Sequence, residues 1–382
     1  MLGLRLRGRP GPIGLDVGSE GVKLLQLRRS GGKISVAAAA HSRFPQNSSG
    51  PDSDPAARIQ LATQAVRDAI SRGGFRGRNT VSCLRSDELA IKNVRLPHMP
   101  DPELTKAVVW ECQERFGFAV APDQVHYFNA GEVRQGPEVR DEVIMMAVSD
   151  ETIQRHLEML EQMQLRPLHV DAEPSALFRT YRRYLRRAED ASTVSVIVDI
   201  GLSSTKVIVA RGRTVLLIRS FDIAGESLNQ SVAKELGLSY GEAVNIRGRL
   251  RQSKAAASET PGQVELSVVD AIRGQVEALA QEIGLCLRYC SVTFRGLRPG
   301  QITLTGGEAY DSGLIKLLGE CLDRPCEVGQ PLRGVRLGRA DMGGDRRGVL
   351  TEWSVVTGLA LRGLLGQEDI WNADRSRSRL SA

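Results

Sequence analysis

The sequence predicts an α/β protein of two lobes, each centred on a mixed five-stranded sheet flanked by helices, and three stretches of chain carry the prediction. Ile13-Gly14-Leu15-Asp16-Val17-Gly18-Ser19-Glu20-Gly21-Val22-Lys23-Leu24 and Val196-Ile197-Val198-Asp199-Ile200-Gly201-Leu202-Ser203-Ser204-Thr205-Lys206-Val207 repeat one pattern. Each is an apolar strand ending in Asp-x-Gly, a turn of small residues, a lysine and a second apolar strand. The third stretch is Gln301-Ile302-Thr303-Leu304-Thr305-Gly306-Gly307-Glu308-Ala309, a short strand that runs into a Gly-Gly turn and then a helix from about Ser312 to Leu322.

The chemistry of these stretches is that of phosphate recognition. In such a hairpin the glycines permit positive φ and leave backbone N–H groups uncovered, so a phosphate can sit in the turn while the carboxylate holds a hydrated cation. A lone Asp-x-Gly hairpin is ordinary turn chemistry. A matched pair facing each other would grip a nucleoside triphosphate. The Gly-Gly turn exposes backbone at a helix N-terminus, where it can approach the flat face of a purine or an anion.

Composition is consistent with two compact lobes: 382 residues, 41% apolar, 25% charged and a formal net charge of +6. No apolar run approaches the roughly 18 to 20 residues of a membrane span, and the apolar part of Met1-Leu2-Gly3-Leu4 is too short for a signal peptide, which predicts a cytoplasmic protein. The six cysteines, Cys83, Cys112, Cys286, Cys290, Cys321 and Cys326, lack metal-ligand spacing and read as reduced core thiols. The arginines are dispersed except at Arg179–Arg187, Arg333–Arg347 and Arg375–Arg379, with little aromatic interleaving, which favours a solvated basic surface over a nucleic-acid site. Five histidines, none in a phosphate motif, give no Ser-His-Asp or Cys-His set.

Along the chain, the polar loop Gln46–Pro55 precedes an amphipathic helix over 56–72 with Ile59, Ala62, Val66 and Ile70 on one face, then a strand over 80–83. A compact insert follows in strand, helix, strand, strand order, over 89–96, 102–116, 125–133 and 142–148. Asp101 is expected to cap its helix, with Pro102 in the first turn and Glu103 toward the positive end of the dipole. A helix over 150–164 carries Ile153, Leu157, Leu160 and Met163 on one side, and a strand over 167–170 leads into Glu173-Pro174-Ser175-Ala176. The expected domains are therefore 1–86 and 149–191 as the first lobe, 87–148 as an insert set into it, and 192–371 as the second lobe. A polar loop over 252–263 interrupts the second lobe, and 372–382 reads as a disordered tail.

The order hairpin, hairpin, Thr-Gly-Gly is similar to the phosphate-1, phosphate-2 and adenosine motifs of the actin-like ATPase superfamily, which has a duplicated ribonuclease H-like fold. The insert resembles the SHS2-like unit of the cell-division protein FtsA and of the type IV pilus assembly protein PilM family. Four further stretches carry the PilM resemblance: Val94-Arg95-Leu96-Pro97-His98-Met99-Pro100 followed by Glu103-Leu104; Gly225-x-x-Leu228; Gly237-Leu238-Ser239-x-x-Glu242-Ala243; and Val356-Thr357-Gly358-Leu359-Ala360-Leu361-Arg362. The resemblance covers about 13–362. It implies ATP and Mg²⁺, with Asp16 and Asp199 holding the metal through water and Gly18, Ser19, Gly21, Lys23, Gly201, Ser203, Ser204 and Thr205 around the phosphates. Gly225, Arg247, Gly306, Gly307 and Glu308 would lie on the adenosine side, and Glu173 stands where DnaK-type relatives position a water; its other reading is a first-turn carboxylate satisfied by the helix dipole.

Two positions depart from the family pattern. Where relatives read Ala-Glu-x-x-Lys this chain reads Ala243-Val244-Asn245-Ile246-Arg247, and the third glycine after Thr-Gly-Gly is Glu308. Both lie on the adenosine side. The resemblance implies a scaffold that recruits the cytoplasmic tail of an inner-membrane, PilN-like partner, held peripherally at the membrane by it, with slow hydrolysis at most. That tail is expected to add to an edge of the insert, beside a groove lined by Leu96, Met99 and Val109. Other readings are an FtsA- or MreB-like polymerising ATPase and a degenerate pseudo-ATPase scaffold of a type II secretion system; a small-molecule kinase is disfavoured by the compact insert.

Overall fold

The computed structural model describes residues 8–45, 55–72, 74–252, 262–338, 340, 342 and 348–365. They divide into two compact units, one drawn from Met1–Arg85, Gln154–Arg183 and Gln330–Ala382, the other from Ser86–Ile153 and Tyr184–Gly329. The proposed tail over 372–382, most of the Gln46–Pro55 loop and most of the 252–263 loop fall outside the described residues.

In the first unit, strands β1 (Pro10–Val17), β2 (Gly21–Ser30) and β3 (Lys33–Arg43) form an antiparallel meander, and β4 (Asn79–Leu84) and β8 (Arg166–Ala172) continue the sheet in parallel, in the order β3-β2-β1-β4-β8. Alternation along β1 and β2 sends Ile13, Leu15, Val22 and Leu24 to one face, where they pack on Ala62, Val66 and Ala69 of helix α1 (Pro55–Ser71) and on Met159, Leu160 and Met163 of and just beyond α3 (Asp150–Gln162). His156 of α3 also turns inward to Ser82 Oγ at 2.8 Å, and burial lowers its pKa to about 4. The other face is covered by α9 (Ser354–Leu365), against which α4 (Glu173–Arg182) packs. Two glycines permit this approach. A Cβ at Gly14 would lie 2.7 Å from the Ala360 nitrogen, and one at Gly358 would lie 1.8 Å from the Ala176 oxygen.

Between α4, α9 and the end of β8 a buried carboxylate is shared. Asp171 accepts from Arg179 Nη1 at 2.8 Å and pairs with Arg362 Nη1 at 2.7 Å, while Arg179 also donates to the Gly358 carbonyl at 3.2 Å. Of the basic Arg333–Arg347 stretch, the Arg333 carbonyl accepts from Arg183 at 2.8 Å and the Arg336 carbonyl accepts from the Val36 N–H at 2.8 Å; residues 339, 341 and 343–347 are outside the described set.

The second unit repeats the sheet of the first strand for strand. Here β9 (Val194–Ile200), β10 (Thr205–Arg211) and β11 (Thr214–Phe221) form the meander, with β12 (Ile302–Thr305) and β13 (Cys326–Val328) parallel beyond β9, in the order β11-β10-β9-β12-β13. Its core joins Val196, Val198, Val207 and Leu304 to Leu228 and Val232 of α5 (Gly225–Leu236), Ile272, Val276 and Ile283 of α7 (Gln263–Thr293), and Leu314 and Leu318 of α8 (Ser312–Leu322). Helix α6 (Tyr240–Gln252) lies between α5 and α7 in sequence. All six cysteines are free; Cys112, Cys286 and Cys290 are buried, whereas Cys321 is exposed rather than part of the core.

The insert folds as β5 (Ala90–Pro97), α2 (Asp101–Phe116), β6 (Val125–Gln135) and β7 (Glu138–Ala147), with sheet order β5-β7-β6. Because it interrupts the chain of the first lobe, the sequence assigns it there. Its packing differs: the insert belongs to the second unit, where Ala130 and Val133 of β6 join the core of Leu216 and Leu217, and Arg219 Nη1 donates to Asn93 Oδ1 at 3.0 Å. Tyr289 of α7 donates to Glu142, which also accepts from Arg95 at 3.0 Å. Two local expectations are corrected as well. The α2 cap is Pro100, whose carbonyl accepts from Glu103 and Leu104, so Asp101 is already helical and caps nothing. Leu96 turns into the insert's own core with Leu104 and Val108 instead of lining a groove, while Met99 and Val109 stay partly accessible.

Candidate nucleotide site

The two Asp-x-Gly hairpins have the same construction. In the first, Asp16 and Lys23 are register partners across β1 and β2, with Lys23 Nζ 3.9 Å from Asp16 Oδ2. In the second, Asp199 and Lys206 are partners across β9 and β10, at 3.7 Å. Lys206 was therefore missed as a site residue; its spacing from Asp199 matches that of Lys23 from Asp16, which was the available signal. Each turn closes with a backbone bond, Gly18 N–H to Gly21 O at 2.9 Å and Gly201 N–H to Ser204 O at 3.1 Å, so these two amides are engaged within the turn. Gly21 is required by crowding, since a Cβ there would lie 2.2 Å from the Ser42 oxygen on β3.

The second hairpin is fastened to α5. Gly225 and Glu226 N–H groups donate to the carbonyls of Gly201 at 3.0 Å and Leu202 at 2.8 Å. Thr205, expected beside phosphate, is fully buried and donates its hydroxyl to the Ile223 carbonyl at 2.6 Å. It ties β10 to the approach to α5. Ser203 and Ser204 sit in the turn itself, between the two strands.

The Gly-Gly turn reaches the same place. Thr305 and Asp199 are partners across β12 and β9, and Gly306, at φ 92°, passes so close that a Cβ would lie 2.3 Å from the Ile200 oxygen and 2.9 Å from Asp199 Oδ1. Only glycine fits that turn. A short 3₁₀ turn over Gly307–Tyr310 separates it from α8, whose N-cap is Asp311, accepting from the Leu314 N–H at 3.1 Å.

Beyond the turn lies a buried ionic cluster. Arg247 of α6 is fully buried and donates to Glu308 Oε2 at 2.5 Å, Asp311 Oδ2 at 3.2 Å, Asn229 Oδ1 at 2.8 Å and the Gly225 carbonyl at 3.3 Å. Arg251 donates to the other oxygen of Glu308. Burial pushes the Glu308 carboxyl up, but Arg247 and Arg251 together hold it below the ordinary carboxylate value. Asn229, Arg251 and Asp311 carry no motif, so sequence reasoning missed them. Thus Asp199, Gly201, Gly225, Arg247, Gly306, Gly307 and Glu308 are assembled around one point in the second unit. Asp16, Gly18, Ser19, Gly21, Lys23 and Glu173 belong to the first, where Glu173 is buried at the first turn of α4.

A sequence model of the family described as type IV pilus assembly protein PilM matches residues 14–364. The chain belongs to the PilM family. A chain of the solved PilM-PilN type IV pilus biogenesis complex is similar at 25% identity and a TM-score of 0.71, covering 93% of this chain and 98% of that one. The ethanolamine utilization protein EutJ from Carboxydothermus hydrogenoformans shares the fold at 12% identity and a TM-score of 0.53, over 94% of this chain and 91% of that one. The fold is that of the actin-like ATPases, and among the described residues no helix is long and apolar enough to cross a membrane.

Whether this PilM-family chain suits a nucleotide divides along the site. The phosphate side fits in residue type: each hairpin offers a lysine-paired carboxylate and a small-residue turn. Among the described residues no group of three or more His, Cys, Asp or Glu is placed to hold a metal ion. The residues expected on the adenosine side are themselves paired, with Glu308 and Arg247 buried against each other beside Gly225 and the Gly-Gly turn.

Proposed function

We propose that this chain is a cytoplasmic scaffold of a type IV pilus machine that holds the cytoplasmic tail of an inner-membrane, PilN-like partner and reaches the membrane only through it. The observation that supports this most is the likeness, over 93% of the chain, to a chain of the PilM-PilN complex. The insert supplies a means. In its sheet β5 is an edge strand, with β7 as its sole neighbour among the described strands, and an extended tail can add to such an edge through main-chain hydrogen bonds. Trp110, 59% exposed on α2, and the half-buried Met99 offer apolar anchors on the same insert. A labelled peptide of the partner's N-terminal tail, titrated against the full chain, should bind with roughly micromolar affinity. Met99→Glu and Trp110→Glu should each weaken capture by about tenfold in proteins that still melt cooperatively. Retention of full affinity by both variants would remove the insert from docking.

We further propose that the hairpins hold the phosphates of Mg²⁺-ATP. In that reading Asp199 of the second unit orients a hydrated ion, with Ser203 and Ser204 against phosphate oxygens and Lys206 offsetting charge; the first unit offers the same set in Asp16, Ser19, Gly21 and Lys23, together with Glu173 to position water for slow turnover. Calorimetric titration tests it. Heat should require Mg²⁺ and disappear in Asp199→Ala; equal heats from wild type and variant would separate the hairpins from phosphate binding.

A further inference from the structure

The buried cluster behind the Gly-Gly turn is balanced, with Arg247 and Arg251 against Glu308 and Asp311. Burying four charges is costly, and a cluster persists only where pairing is close and the remaining lone pairs and N–H groups are used. Here both oxygens of Glu308 accept from guanidinium groups and Arg247 spends its terminal nitrogens on four acceptors, which leaves its buried Nε without a partner among the described residues.

The place of the cluster matters more than its strength. Glu308 follows the Gly306-Gly307 turn that passes Asp199, and its carboxylate lies against the first residue of α5, where a Cβ on Gly225 would be 2.5 Å from Glu308 Oε1. Glu308 is 1% exposed and Arg247 0%, so the turn, α5 and α6 are joined through these two buried side chains. Two cavities of this unit lie away from the cluster, one beside Ser227, Lys234 and Asp270, the other beside Lys316, Glu320 and Arg324. Val244 completes the pattern: on α6, one turn before Arg247, it offers no carboxylate to a ribose.

We propose that Glu308, held by Arg247 and Arg251, occupies the volume a nucleoside would take, so that the site receives a magnesium polyphosphate without reading the base or ribose attached to it. This rests on the phosphate reading above and narrows its ligand. Calorimetric titration of the full wild-type chain with Mg²⁺-ATP, Mg²⁺-GTP and Mg²⁺-tripolyphosphate tests it with no substitution. The three affinities should agree within about fivefold. A preference for ATP over tripolyphosphate beyond that would overturn this proposal and leave the phosphate reading standing. Absence of heat with all three ligands would overturn the phosphate reading, and this proposal with it. A second arm uses V244E/E308G, which returns a carboxylate to α6 as it removes the one from the turn. If it melts cooperatively it should favour ATP over tripolyphosphate by about tenfold, the worth of one or two new hydrogen bonds; unchanged discrimination would count against Glu308 as the excluding group.

Discussion

Asp171→Asn should lower the stability of the first unit by about 3–5 kcal/mol, because it leaves Arg179 and Arg362 sharing a neutral group in a buried site. Asparagine keeps the volume but presents one acceptor where two guanidinium groups now meet two carboxylate oxygens. The effect has a pH signature. Burial raises the Asp171 pKa, yet the two arginines outweigh it and hold the folded value below the ordinary one. A carboxylate depressed in the fold contributes stability that is fully present above the unfolded pKa, about 3.9, and is lost as pH falls through the folded value. Denaturant midpoints measured from neutral to acidic pH should therefore converge for wild type and variant only at the acid end. A constant offset between the two curves would mean that the ion pairs are not what the substitution removed.

Gly358→Ala should cost about 3 kcal/mol or more, at or beyond the usual range for overpacking. The new methyl would meet the Ala176 oxygen at 1.8 Å, a backbone atom of α4 that no rotamer change can move aside. The same exchange at Gly274, inside α7 with nothing within 4 Å of the added carbon, should stabilise by about 0.5–1 kcal/mol through helix propensity alone. Thermal melts of the two variants should thus move in opposite directions. If Gly358→Ala melts with wild type, α4 and α9 do not approach as described.

What could be read from the sequence was what local chemistry writes down. Both hairpins follow from Asp, Gly and alternating apolar residues, the insert's strand and helix order follows from its periodicities, and α8 begins and ends at Ser312 and Leu322 as expected. The rest depends on partners remote in the chain. Ala130 and Val133 look like any other strand residues, and only tertiary packing attaches the insert to the second unit. Thr205 resembles a phosphate donor until Ile223 is seen to accept its hydroxyl. Glu308 could be noticed as a missing glycine, but its capture by Arg247 and Arg251, more than fifty residues away, has no periodic signature.

The segmentation of the first unit has a consequence for how the protein is made. Its sheet begins with β1, yet the face bearing Leu25 and Leu27 is covered by Trp353, Val356 and Ala360, close to the last described residue. At about 5–20 residues per second, a ribosome would take on the order of tens of seconds to pass from β1 to α9. Throughout that interval residues 86–153 and 184–329 can emerge and close their own core, while the earlier strands wait with one apolar side wet. Birth order and completion order are thus reversed, and the nascent N-terminal sheet is the segment a chaperone would be expected to hold.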